Sequence, residues 1–257
     1  MALGLHLIKD RQLMDLMEKD PRQDARALAR ARSSLYDLLA LGFSPPSEEL
    51  LQAWGTRLLQ VLEEAEALFT WPGLKGELER LRTFAGKDQE GREKLLADLR
   101  LEYTRLFIGP YGLPVPPYES VYRERTVMGA STLDVLRRYE EAGFIFSPSF
   151  KELPDHVAVE LEFLALLSSE EAEAWERGDT AKAFHLLRLE EAFLRDHLGE
   201  WIGGFSDRLV SSTEGPFYQA MAELLQAYVP LDQDYAAAFV HLLEEASNLQ
   251  DRLPGEG

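Results

Sequence analysis

Apolar residues recur along this chain at spacings of three and four, the period of a helix with one buried face. Over residues 26–41, Leu28, Ala31, Leu35, Leu38 and Leu39 form one stripe, and Arg26, Arg30 and Asp37 lie off it. Gly42 stops that pattern ahead of Ser44-Pro45-Pro46. Ser47 then stands where it can cap a helix carrying Leu50, Leu51, Trp54, Leu58 and Leu62. Further helices are predicted over 74–85, 90–107, 131–142, 154–177, 180–210, 215–228 and 232–248. Ser131-Thr132-Leu133-Asp134 reads as an acidic capping box. Pro154 and Pro216 each fit a first helical turn, where the missing N–H costs nothing. Asp232 is placed to cap the last helix.

No alternating β pattern persists, and Phe144-Ile145-Phe146 is too short to carry a sheet. No fixed-period repeat or long heptad run is present. The expectation is an all-α chain, one domain of roughly nine to eleven helices. It covers residues 26–250 and is interrupted by a long loop or hinge at 108–130. Residues 1–25 form an extension with no assigned role, and 251–257 a frayed tail.

Composition narrows the class. The chain has 257 residues, 46% of them hydrophobic, enough for a real core. The absence of cysteine removes disulfides, thiolate catalysis and iron–sulfur ligation, and fits a reducing compartment. No apolar run approaches the roughly 20 residues that a membrane helix needs. The stretch Met1 to Lys19 lacks a signal-peptide pattern, because Lys9, Asp10 and Arg11 break its apolar start. The expected location is the cytoplasm, with no membrane insertion. A net charge of −18 argues against nucleic acid and would attract a cationic partner, but charge alone speaks more for solubility.

The richest local signal is Glu102-Tyr103-Thr104-Arg105-Leu106-Phe107-Ile108-Gly109-Pro110, continuing to Pro116-Pro117-Tyr118-Glu119-Ser120-Val121-Tyr122. A helical pattern stops at Gly-Pro and gives way to a loop of prolines and tyrosines. Its ring faces and rigid prolines suit gripping a peptide better than chemistry. Tyr103 and Phe107, four apart, read as core residues, and Tyr118 and Tyr122 as residues able to face a ligand. Arg105 reads as a structural bridge, to Glu102 or to an acid of another helix such as Asp155.

A second signal is Glu152-Leu153-Pro154-Asp155-His156 leading into Glu160-Leu161-Glu162-Phe163. If Pro154 starts a helix, Asp155 sits in its first turn, where the dipole favours an anion. His156 and Glu160 then share a face. On these residues alone, an N-terminal acid with an ordinary intrahelical His–Glu pair is the favoured reading over a site. A metal site on His156, Glu160 and Glu162 would be a poor match to known ligand spacings, and no metal is expected. No nucleophile elbow or nucleotide-binding motif is present, so no catalytic residue is assigned and the chain is not expected to be an enzyme.

Taken together the chain resembles the TorD/DmsD/NarJ family, the dedicated cytoplasmic chaperones of molybdenum-containing oxidoreductases. Four places carry the likeness. They are Leu35-Tyr36-Asp37-Leu38-Leu39 with Gly42-Phe43-Ser44-Pro45-Pro46; Glu102 to Tyr122; the Pro-Asp-His turn with Glu160-Leu161-Glu162-Phe163; and Trp201, Phe205 and Pro216-Phe217-Tyr218. They span about residues 30–228 in the family's order. The family's third pattern is Glu-Pro-x-Asp-His; here Leu153 takes the proline position and Pro154 the free one, while Asp155 and His156 keep theirs.

The resemblance implies an all-helical, TorD-like fold. It also implies binding of the twin-arginine leader, or another segment, of an apo-molybdoenzyme held in the cytoplasm until its cofactor is inserted. Asp155 and His156 match the pair linked to leader recognition. Tyr36, Pro116, Pro117, Tyr118 and Tyr122 match residues at or near the groove, and Glu119 is a further candidate acid. Glu102, Arg105, Phe107, Gly109 and Pro110 are expected to be structural. Weak guanine-nucleotide binding is known for some members, and a monomer or domain-swapped dimer fits the fold. If His156 must donate a proton to the peptide, binding should weaken as pH rises. Two alternatives stay open on the residues alone, a small metal-dependent hydrolase built on His156 and a helical scaffold.

Overall fold

The structure is a computed structural model that describes residues 21–68, 74–85, 88–109, 112–146 and 151–252. Ten α-helices are formed among the described residues. They are α1 (Pro21–Phe43), α2 (Glu48–Leu68), α3 (Leu74–Arg82), α4 (Gln89–Tyr103), α5 (Glu119–Glu124), α6 (Ala130–Glu141), α7 (Val157–Arg177), α8 (Thr180–Phe193), α9 (Gly199–Ser212) and α10 (Pro216–Arg252). None is long and apolar enough to cross a membrane.

The all-α expectation holds, and several boundaries move. α1 begins at Pro21, so the helical body takes in residues that the sequence pattern left to the extension. Helix 90–107 becomes α4 plus a π-helical turn, Thr104–Ile108, closed by the Gly109 N–H donating to the Thr104 carbonyl at 2.8 Å. Helix 180–210 is likewise divided by a π-helical turn at Leu194–Leu198. Such turns insert an extra residue and re-aim side chains; the second one carries the buried His197. The expected break at residues 229–231 is absent, because α10 runs through Pro230. Pro230 is exposed, so the carbonyl it leaves without a donor faces water, while Tyr228, Val229, Asp232 and Ala236 are buried on the other side. Asp232 is therefore inside a helix and caps nothing. The start of α6 is also different: Glu124, from α5, accepts from the Ser131 N–H and hydroxyl.

α7 is the central rod, with Val157, Leu161, Leu164, Leu167 and Ala174 enclosed. Its end is set by Gly178 at φ 73°, and Asp179 caps α8 by accepting from the Lys182 N–H. α1 lies along α7 in the opposite direction. Arg30 pairs with Glu176 at 3.0 Å, and the Ser33 hydroxyl donates to the Ala165 carbonyl at 2.8 Å.

Four helices meet at one buried cation. The Arg32 guanidinium of α1 donates through Nε to Asp232 of α10 at 2.6 Å and through Nη1 to Glu171 of α7 at 2.9 Å, and its Nη2 lies 2.6 Å from Glu190 of α8. Tyr36 donates its hydroxyl to Asp232 at 2.6 Å, Trp175 its indole N–H to Glu171 at 2.8 Å, and Ser168 its hydroxyl to Glu190 at 2.8 Å. A second joint ties α4 to α10. Glu102 accepts from the Thr213 hydroxyl and from the backbone N–H groups of Glu214 and Gly215, satisfying donors ahead of α10.

The segment 112–118 is held to the body through hydrogen bonds of its backbone. Val115 donates its N–H to the Leu106 carbonyl at 3.1 Å, and Arg208 of α9 donates to the carbonyls of Leu113 and Pro114. The expected irregular loop at 108–130 therefore contains a helix, α5, and is stitched to the body on both sides.

Candidate functional site

The two signal stretches come together. Tyr118 and His156 form an isolated antiparallel bridge. Val157 donates its N–H to the Pro117 carbonyl at 2.8 Å, and Glu119 donates its N–H to the Asp155 carbonyl at 2.9 Å. The Asp155 carboxylate then accepts from the Ser120 N–H at 3.0 Å. Asp155 is thus an acid at the start of α5, not in the first turn of its own helix. His156 is the N-cap of α7, its Nδ1 accepting from the Ala158 N–H at 3.1 Å. Burial pushes its imidazole down to about 4, so the ring is neutral at neutral pH and holds no imidazolium proton to give a ligand. Both residues are enclosed by the protein.

Beneath this crossing lies a group of buried acids. Glu119, Asp155 and Glu160 are all inaccessible. His197 places Nδ1 3.2 Å from both Glu119 oxygens, and Arg123 pairs with Glu119 from the outer side. Trp201 donates its indole N–H to Glu160 at 3.0 Å. Burial first, and the neighbouring Glu119 second, raise the Glu160 carboxyl well above the ordinary range. His156, Glu160 and Glu162 do not converge. No group of three or more His, Asp or Glu able to hold a metal is formed among the described residues.

At the surface beside the crossing, Tyr118 donates its hydroxyl to Glu152 at 3.1 Å, and burial together with that acid pushes the phenol up to about 12. Tyr139 donates its hydroxyl to the Pro154 carbonyl at 2.9 Å. Its ring packs on Phe163 at 4.5 Å and Phe146 at 5.7 Å. Those rings line an apolar groove of about 230 Å³, walled by Phe144, Ile145 and Phe146 on one side and by Val159, Phe163 and Leu166 of α7 on the other. Ile145 is 89% exposed and Leu166 44% exposed. Glu162 stands at the edge, its carboxyl raised by partial burial and then by Asp37.

A protein-family model described as nitrate reductase delta subunit matches residues 71–207. The chain belongs to that family. Among curated relatives, the Tat proofreading chaperone DmsD of Salmonella typhi is 30% identical over 205 residues, covering 79% of this chain and 86% of its own. The chaperone protein TorD of Shewanella pealeana is 25% identical over 248 residues, covering 89% and 97%. A perchlorate reductase assembly chaperone protein of Dechloromonas aromatica is 24% identical over 204 residues, covering 77% and 87%. The family resemblance read from the motifs therefore stands, and the names of these relatives are names of chaperones and not of enzymes.

The residues of the two signal stretches, with Tyr36, fall into four settings. Tyr118 and Glu152 reach the surface at the rim. Tyr122 is half-buried, its ring 5.4 Å from that of Trp201. Pro116, Pro117, Glu119, Asp155 and His156 lie behind that surface, and Tyr36 is in the core against Asp232. Arg105 donates to Glu102 at 3.4 Å and to the Ser212 carbonyl at 3.0 Å, so its bridge runs to the α9–α10 junction and not to Asp155. Phe107 packs among Phe43, Tyr103, Phe205 and Tyr218. The Gly109 backbone closes the π turn, and Pro110 lies outside the described residues.

Sequence reasoning passed over the groove and the partners of the buried acids. Phe144-Ile145-Phe146 was visible as an apolar triplet, but periodicity assigns it to no element. Glu160 pairs with Trp201, 41 positions away, and Glu119 with His197, 78 away; no local pattern announces either.

Proposed function

We propose that this protein is a maturation chaperone for a molybdoenzyme, and that its groove between the segment 144–146 and α7 takes the apolar part of the partner's twin-arginine leader. One observation carries this reading: the exposed Ile145 and Leu166 sit over an aromatic floor of Tyr139 and Phe163. A helix laid into an apolar groove uses such a surface. Glu152 and Glu162 supply acids near the groove for the arginines, whose planar forks favour carboxylates. Asp155 and His156 act behind this surface. They hold the 117–120 segment and the start of α7 in register, and Tyr118 presents the rim. The relatives' names, Tat proofreading and reductase assembly, support the role, and the holding back of the partner in the cytoplasm until cofactor insertion follows from it.

Calorimetric titration of the protein with a twin-arginine leader, beside a Lys-Lys version, tests the reading. Micromolar or tighter binding is expected, weaker for Lys-Lys and lost in Leu166→Glu, whose exposed site leaves folding intact. Binding unchanged in Leu166→Glu would remove the groove from the site. No leader binding beside capture of the leaderless apoenzyme would move recognition to the mature partner.

A further inference from the structure

The surface acids of α7 are not alike. Glu170, Glu173 and Glu176 each meet a cation, Lys182 at 2.9 Å, Arg177 at 3.3 Å and Arg30 at 3.0 Å. Glu162, at the edge of the groove, meets an acid instead. Its carboxyl is raised by partial burial and then by Asp37 of α1, and among the described residues no cation offsets the two.

The packing of α1 on α7 brings these acids together. The Ser33 hydroxyl bonds to the Ala165 carbonyl, and the two helices run in opposite directions. Asp37 is four residues, about 6 Å, beyond Ser33, and Glu162 is three residues, about 4.5 Å, before Ala165. The two carboxylates therefore stand at nearly one level across the α1–α7 seam. Asp37 has a partner in Arg57 of α2, which donates through Nε to its Oδ2 at 2.6 Å and through Nη1 to the Gln60 side chain at 2.7 Å. That contact engages one oxygen of Asp37, whereas a guanidinium fork that meets a carboxylate squarely engages both. Two acids are left with one arginine between them.

The chain meets the same problem in its interior, where the Arg32 guanidinium spans Asp232, Glu171 and Glu190. The Asp37–Glu162 pair differs in being reachable from solvent. It also adjoins the apolar wall, since Leu166 is one helical turn, about 6 Å, from Glu162. A ligand that lays an apolar side chain over Phe163 and Leu166, with a guanidinium about 6 Å away, engages both surfaces. The arginine stem itself packs on the wall while the head meets the acids. Glu152, the other acid near the groove, already accepts from the Tyr118 hydroxyl and from the Leu153 N–H.

We propose that Asp37 and Glu162 form the subsite that reads one arginine of the cargo, beside the apolar anchor in the groove, and that Arg57 is the resident cation competing with it. A planar fork can bridge two carboxylates in a way that lysine cannot copy. The subsite rests on the leader-binding reading for the identity of the cargo. Its arginine contact can be tested with a peptide that is no leader.

Two peptides are titrated by calorimetry. One is the twin-arginine leader, and the other an alanine-based helical peptide with a single arginine four residues from a leucine. Both are also made with glutamine in place of arginine, each leader arginine in turn. Glu162→Gln and Asp37→Asn should each weaken the arginine peptides about tenfold, the size for a hydrogen bond to a charged group. The same variants should bind the glutamine version of the helical peptide as wild type does, and only one of the two leader arginines should show the coupling. Arg57→Gln should strengthen the arginine peptides by up to about fivefold, the reach of an exposed ion pair. Equal losses for arginine and glutamine peptides would make the acids supports of the groove and overturn the subsite, as would weaker arginine binding in Arg57→Gln. Tight leader binding with no coupling to Glu162 overturns the subsite and keeps the leader reading. A coupled arginine in the helical peptide, beside no binding of the leader, keeps the subsite and sinks the leader reading. Binding of neither peptide overturns both.

Discussion

Two buried charge clusters lie along α7, and they are built on opposite terms. At the C-terminal half, Arg32 is surrounded by Asp232, Glu171 and Glu190, every partner wholly enclosed. Its charge pulls on Glu171 and Glu190 against the effect of burial. At the N-terminal end, Glu119, Asp155 and Glu160 are equally enclosed, but their cations are peripheral. Arg123 reaches in from the surface, and His197 is an imidazole. Around Glu160 burial and acids raise the carboxyl, and the Trp201 N–H is the main opposing partner. The first cluster joins four helices through one guanidinium and behaves as a fixed joint. The second underlies the Tyr118–His156 crossing, beside the groove.

The comparison breaks most readily at Arg32. Arg32→Met keeps the stem and removes the charge, leaving three buried acids facing one another. Loss of one partner from a buried ion cluster costs about 3–5 kcal/mol. Urea denaturation should show a drop of that size, with Tyr36 losing the neighbour that orders its acceptor. A loss under 1 kcal/mol would mean that the cage is looser than its geometry.

Next in size is Asp155→Ala. It removes the acceptor of the Ser120 N–H at a buried site, worth about 1–3 kcal/mol, and relieves one like charge beside Glu160, which offsets part of the loss. Denaturation should show a moderate drop, and leader binding should weaken because Tyr118 and α5 lose their anchor. Unchanged stability with lost binding would return Asp155 to direct contact with the peptide.

Smaller effects appear in the pH dependence, with opposite signs at Glu171 and His156. Glu171 is raised from 4.5 to about 8 by burial first and Glu190 second. A raised acid contributes stability below its unfolded value, and that stability is lost as pH rises from about 4.5 through about 8. Glu171→Gln should flatten the decline over that window. His156 works the other way. Held down to about 4, it contributes stability above 6.5 that is lost as pH falls toward 4. His156→Asn keeps an N-cap acceptor and should remove that acid-side loss. Denaturation series across pH read both.

What the sequence discloses divides along the same line. The helices of α1, α2 and α7 are legible because their apolar stripes are continuous. Pro230 misleads because a proline on an exposed helix face leaves its unpaired carbonyl to water while the buried face carries on. Leu28, Arg32, Leu35 and Leu39 share one stripe, so an arginine among leucines signals a buried cation, but Asp232 lies 200 positions away and no pattern pairs the two. For the candidate site, the motifs disclose that 116–122 and 152–156 matter. They do not disclose that the backbone crossing buries Asp155 and His156, since that depends on two segments about 35 positions apart meeting in one isolated bridge. The groove is silent because its walls come from an irregular triplet and from alternate turns of a helix already assigned to the core.

The smallest expected change sharpens the comparison furthest. Glu160→Gln keeps the shape and an oxygen for the Trp201 N–H, and removes only the ability to ionise. Glu160 is raised well above its ordinary value, so it is held toward the neutral form that glutamine copies. Below the unfolded carboxylate range wild type and variant should therefore differ by less than about 1 kcal/mol. As pH climbs through the raised value, wild type loses the stability that its proton supplied, and the variant does not. If the acid cluster sets the position of Tyr118, leader binding by wild type should weaken over the same rise in pH while Glu160→Gln holds steady. Parallel curves for the two proteins would separate the cluster from the groove and leave it, like the Arg32 cage, a joint of the fold.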